Sequence, residues 1–190
     1  MKILVIGENN DTKLKVFWKY YPIIKKFVNI QKFEVYSSDL NNSDFNINWN
    51  YRVSILKELM ENRFDIIIAN NIIEHLYNLE PFFKGVRYHL NKDGLFVLRT
   101  DNALYLLYYI PIENKFLARL LGIGYHSSNV SKQLWNENHY FIFTKKHLLN
   151  LLEKFGFRIV YCKYGIWKYG IKALNIPLSP RILIIAKPIK

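Results

Sequence analysis

Two short apolar runs, residues 64–69 (FDIIIA) and 95–98 (LFVL), bracket a segment of helical length, and each run ends in polar residues. That pattern predicts a strand, a crossover helix and a second strand of a parallel sheet. In open sheets of this kind a ligand sits beyond the carboxyl ends of the strands. Those ends are Asn70-Asn71 with Glu74-His75, and Thr100-Asp101-Asn102. The polar clusters therefore fall where a site belongs.

Elsewhere the chain reads unevenly. Residues 2–6 form a buried first strand closed by Gly7. Residues 14–20 admit two readings. As a helix, 13–27 would carry a poor apolar stripe and an interior Pro22. As a strand, Leu14, Val16, Trp18 and Tyr20 alternate with Lys15, Phe17 and Lys19. The strand is preferred, and it leaves almost no crossover helix between the first two strands. Residues 33–37 are then a third short strand leading to Asp39, 41–50 a polar turn region, and 51–62 a helix with Val53, Leu56, Leu59 and Met60 on one face. A helix at 79–90 opens near Pro81, and Asn91-Lys92-Asp93-Gly94 signals a turn. Thr144 caps a helix over 145–155 that Gly156 stops. Residues 158–162 and 181–186 are the last strands.

Arrangement and spelling together resemble the class I S-adenosylmethionine-dependent methyltransferases. The resemblance rests on Phe64-Asp65, Glu74-His75-Leu76, Asp93-Gly94 and Thr100-Asp101-Asn102. It continues in His139-Tyr140-Phe141-Ile142-Phe143-Thr144 and in Phe155-Gly156-Phe157. The spelling is similar to type 11 members, and Thr100 through Tyr105 looks like an archaeal branch; the short gap after the first strand looks like a compact subgroup. The resemblance implies an α/β, Rossmann-like fold: a mostly parallel twisted sheet with an antiparallel C-terminal edge pair and helices on both faces. It implies one domain over 1–190, with a substrate lid at 103–138 that holds Tyr105, Tyr108, Tyr109, Phe116, Tyr125 and Trp135.

The same resemblance implies S-adenosylmethionine as cofactor, bound by Gly7, Glu8, Asn9, Asp39 and Asn70. Only Gly7 survives of the glycine-rich loop. Val5 stands where an acid is usual, and Asn9 replaces the second glycine. Asparagine tolerates left-handed backbone, so the turn itself is still expected. In the compact alignment Lys19 takes the place of the ribose-binding acid, and Asp39 that of the adenine-contacting acid. If 33–37 is instead the second strand, Asp39 is the ribose acid. A Glu8–Lys19 bridge would close the crevice to the cofactor. His75, Asp101 and His139 are the expected catalytic residues, orienting or deprotonating the acceptor. Asn71 replaces the first Glu of the metal-holding E-x-x-E-H form, so no metal is expected.

Composition narrows the picture further. At 190 residues and 51% hydrophobic, the chain can bury one sizeable core. No apolar run reaches the roughly 20 residues that cross a bilayer. The N-terminus lacks a signal-peptide pattern. The single Cys162 leaves no disulfide framework or cysteine-rich zinc site, so a cytoplasmic protein is expected. The net charge of +12 comes from scattered lysines and reads first as a solvated surface. The expected activity is methyl transfer to an oxygen or nitrogen of a small-molecule or glycan acceptor. Two alternatives stay open: a non-catalytic relative that binds a partner within a homo- or hetero-oligomer, and an RNA-binding module driven by the charge.

Overall fold

The structure is a computed structural model that describes residues 1–39, 43–46, 62–105, 139–164, 179 and 181–189. In chain order the described elements are β1 (Lys2–Ile6), α1 (Lys13–Ile24), β2 (Glu34–Asp39), β3 (Phe45–Asn46), β4 (Phe64–Asn70), a 3-10 turn (Ile73–His75), α2 (Leu79–His89), β5 (Leu90–Asp101), α3 (Lys145–Lys154), β6 (Phe157–Tyr164) and β7 (Arg181–Pro188). The strands form one seven-stranded sheet in the order β3-β2-β1-β4-β5-β7-β6. Pairs from β3 through β5 are parallel, whereas β7 runs antiparallel to both β5 and β6. This is the mostly parallel, Rossmann-like sheet with an antiparallel C-terminal pair that the family resemblance implies.

Both faces of the sheet are covered, which is why its central strands read as apolar runs. Leu4 and Ile6 of β1, Phe96 and Leu98 of β5, and Ile182 and Ile184 of β7 face the core beneath α2 and α3. Ile3, Val5, Ile66, Ile68, Leu95 and Val97 point to the opposite core, beneath α1. Phe96 lies at the centre of the first core, its ring 5.4 Å from that of Phe157 and 6.3 Å from those of Phe82 and Phe83. Phe96→Ala is expected to cost about 3–5 kcal/mol, because three ring contacts go and the rigid strands cannot collapse into the space. Urea denaturation checks this; a loss under about 1 kcal/mol would mean that the sheet repacks.

The first crossover corrects the sequence reading. Residues 13–24 are a helix, and Pro22 lies inside it. Proline removes one hydrogen bond and crowds the preceding turn, a cost of about 3 kcal/mol. Against that, Val16, Phe17, Tyr20 and Ile24 are all buried at helical spacing. Each such burial contributes roughly 1.5–3 kcal/mol, so the helix wins. The apparent alternation misled because Leu14 and Trp18, two of its apolar positions, are about half exposed. The crossover helix is therefore present, which removes the compact-subgroup reading. Residues 34–39 become the second strand, and Lys19 moves from a strand end to the exposed side of α1.

Smaller differences have simple causes. The polar region after β2 contains the two-residue β3, paired to Ser38 and Asp39. The predicted turn at Asn91-Lys92-Asp93-Gly94 is real but lies within β5: Phe64 pairs with Leu90 and Ile66 with Leu95, so these four residues bulge from the ladder. Gly94 is needed there, since a Cβ would stand 2.8 Å from Leu90 Cδ1. The α3 reading holds: the Thr144 side chain accepts from His147 N, and Gly156 follows the helix end. The helix expected at 51–62 lies outside the described residues except for Asn62. The expected lid is likewise undescribed beyond Tyr105.

Candidate active site

The strand order reverses between β1 and β4, so the carboxyl ends of β1, β2, β4 and β5 meet where sheets of this kind hold a ligand in a crevice. On its β1 side, Gly7 has φ +78°, and its N–H donates to Ser38 O at 2.8 Å. An L side chain would be strained at that φ, and its Cβ would press on Ile72 at 3.3 Å. The bond to Ser38 sets the loop beside Asp39, the last residue of β2. The predicted Gly7 and Asp39 are thus neighbours, although 32 positions separate them in sequence.

Asn9 keeps the turn without its missing glycine. Its side-chain oxygen accepts from Asp11 N, Thr12 N and the Thr12 hydroxyl at 3.0–3.1 Å, which starts α1. Next to it Asn10 Oδ1 accepts from Ser37 Oγ at 2.8 Å and Lys13 Nζ at 2.9 Å. Lys13 also pairs with Asp44 at 2.6 Å, and Asp44 accepts from Ser37 N at 2.7 Å. Burial alone would push the Asp44 carboxyl up. The Lys13 ammonium and the Ser37 donors outweigh that and hold it below its ordinary range. Sequence reasoning missed this brace, because its members are spread from Asn10 to Asp44 over a turn, the start of α1 and β2.

Glu8 does not bridge to Lys19. Its Oε1 accepts from Asn70 Nδ2 at 3.0 Å, while Lys19 lies over the Tyr20 ring on α1. Asn70 in turn accepts from the Tyr20 hydroxyl at 2.5 Å and Arg99 Nη1 at 3.1 Å. The Asn70 amide is thereby engaged by three neighbours, and it faces the crevice through Glu8. Asn9 and Asn70 thus tie the loop after β1 and the end of β4 to their neighbours.

On the β4–β5 side, Asn71 takes a left-handed turn at φ 51°, its N–H donating to Arg99 O at 2.8 Å. The 3-10 turn that follows sends Glu74 inward and leaves His75 at the edge. Glu74 is only 2% exposed and accepts from the Thr100 hydroxyl at 2.8 Å. Burial, reinforced by the nearby Asp101 charge, pushes its carboxyl up to about 7. Asp101 is ion-paired with Arg181, the first residue of β7. His75 meets His139 edge to face, ring centroids 4.5 Å apart. The meeting is fixed by backbone: Tyr140 N donates to Glu74 O at 2.8 Å, and Ala103 N to Phe143 O at 2.8 Å. The structure therefore brings the predicted His75 and His139 together and sets Asp101 near Glu74, the residue before His75. Glu74 and Arg181 complete this cluster. The sequence named Glu74 without a role and read Arg181 only as a strand start.

Comparison with known proteins agrees with this fold. Residues 15–161 match a family model described as a methyltransferase domain, and the chain belongs to that family. It is 30% identical over 64 residues to a ubiquinone biosynthesis O-methyltransferase of Rickettsia canadensis, a match covering 33% of this chain and 27% of that protein. The match thus spans only about a quarter of that relative's length. Among solved structures, the CurJ carbon methyltransferase superposes with a TM-score of 0.61 at 15% identity, over the whole chain and 49% of the other. An S-adenosylmethionine-dependent methyltransferase from Mesorhizobium loti gives 0.54 at 13%, over 98% of this chain and 90% of the other. The chain is thus a methyltransferase domain, and its fold is the one that S-adenosylmethionine-dependent enzymes such as the Mesorhizobium loti protein share. The residues present fit that family's cofactor: an acid ends β2 where ribose hydroxyls need an acceptor, and the Gly7 turn sets backbone beside it.

Proposed function

We propose that the chain transfers the methyl group of S-adenosylmethionine to an oxygen or nitrogen of a small or carbohydrate-like acceptor. The observation that carries this reading is the His75–His139 pair at the strand ends, beside the crevice bounded by Gly7 and Asp39. When bound, S-adenosylmethionine supplies an electrophilic methyl on a sulfonium centre. Asp39 would hold the ribose hydroxyls, backbone of Gly7 to Asn9 would line the other side, and Asn70 would orient Glu8 toward it. His75 or His139 would take the acceptor's proton. Asp101, held by Arg181, would act as a positioning residue beneath them. Alignment of donor and acceptor contributes most, roughly 7–11 kcal/mol in well-oriented reactions.

An oxygen acceptor is favoured by the name of the Rickettsia relative, and a lid at 103–138 would supply specificity. Among the described residues no helix is long and apolar enough to cross a membrane, and a cytoplasmic site of action is part of the same proposal. Isothermal titration with S-adenosylhomocysteine should give saturable heat at or below millimolar ligand; its absence would leave only the fold. His75→Ala and His139→Ala should keep that affinity. One of them should lose about 10²-fold or more in transfer of labelled methyl to a small-molecule fraction. Unchanged transfer in both would remove the histidines from the chemistry.

A further inference from the structure

The outward side of α1 carries a pattern that methyl transfer does not use. Leu14, Trp18 and Pro22 recur every four residues and form one ridge along the helix, opposite the buried Val16, Phe17, Tyr20 and Ile24. Leu14 is 49% and Trp18 51% exposed, and Pro22 is exposed as well. One step round the helix lie Lys15 and Lys19, with Lys25 and Lys26 just past the last turn; all four are exposed. From Asp11 to Glu34 the chain holds six lysines and no acidic residue between them. The other described helices do not share this. The surface of α2 mixes signs, with Lys84 paired to Glu80, and α3 includes Glu153 among its lysines.

We propose that this face of α1 docks onto membrane surfaces that bear anionic lipid headgroups. An apolar ridge bordered by lysines suits the boundary between headgroups and acyl chains. The ridge enters the boundary, and the long lysine stems bring their charges to the lipid phosphates. Tryptophan favours that boundary because its ring is amphipathic. The Trp18 ring is held in place by its neighbours, 5.1 Å from Tyr21 and 5.7 Å from Phe33. Charge alone would serve a nucleic acid equally well. The exposed aliphatic and aromatic ridge, which a phosphate backbone cannot use, favours lipid.

The test is flotation of the full chain with vesicles of phosphatidylcholine alone, or with about one third phosphatidylglycerol. The chain should float only with the anionic vesicles. Lys15→Ser and Lys26→Ser should each lower the partition coefficient about fivefold, and about 25-fold together. Leu14→Ala with Trp18→Ala should lower it at least fivefold, with the circular dichroism spectrum unchanged. Failure to float with anionic vesicles overturns the proposal. So does flotation indifferent to the ridge substitutions. Binding of a mixed-sequence RNA oligonucleotide without flotation would assign the lysines to nucleic acid and overturn it too.

Discussion

Asp39→Ala is expected to weaken S-adenosylhomocysteine binding by about ten- to a hundredfold, with a smaller effect on melting temperature. A hydrogen bond to an ionised carboxylate contributes roughly 1.5–3 kcal/mol, and about 1.4 kcal/mol is a factor of ten. The argument rests on position. Asp39 is the last residue of β2, the neighbouring Ser38 carbonyl receives the Gly7 N–H, and β2 lies beside β1 in the sheet. A nucleoside ribose lying across those strand ends would find this carboxylate at the end of β2. Asp39→Asn, which keeps one acceptor oxygen but loses the charge, should fall between wild type and alanine. Equal affinity for all three proteins in isothermal titration would place the ribose elsewhere.

That prediction depends on a part of the fold the sequence read wrongly. β1, β4 and the second half of β5 are legible because burial on both faces demands continuous apolar side chains. The α3 helix is legible because Thr144 and Gly156 mark its ends. In α1 the signal is corrupted by Leu14 and Trp18, apolar residues that the structure leaves exposed. Counted as core, they produce a false alternation; left out, they reveal the spacing of Val16, Phe17, Tyr20 and Ile24. Once α1 is a helix, β2 shifts to 34–39 and an acid, Asp39, stands at its end. Two of the three features that suggested a lost cofactor remain, Val5 and Asn9. Asn9 is compensated by its own side chain, which holds the turn. The His75–His139 contact was beyond reach for another reason. It joins residues 64 positions apart, through backbone bonds no local pattern encodes.

Glu74→Gln should make the protein more stable at pH 8, by up to about 3 kcal/mol. The Glu74 carboxyl is pushed up from 4.5 to about 7 by burial and by Asp101. A raised carboxyl favours its protonated form in the folded state, so ionising it works against folding. Below about pH 4.5 both states hold the proton and the cost is absent. Between there and about pH 7 the folded state binds more protons than the unfolded one, so stability falls as pH rises; above pH 7 the full cost applies. At about 1.4 kcal/mol per pH unit, that interval amounts to about 3 kcal/mol, shared with the coupled Asp101. Glutamine can still accept from the Thr100 hydroxyl and cannot ionise. Urea denaturation should therefore show the two proteins converging near pH 4.5 and separating toward pH 8. A variant less stable than wild type at pH 8 would mean that Arg181 makes the ionised pair a net stabiliser. If the variant is more stable but slower in methyl transfer, the reason for keeping a costly buried acid next to His75 is functional, since folding alone would discard it.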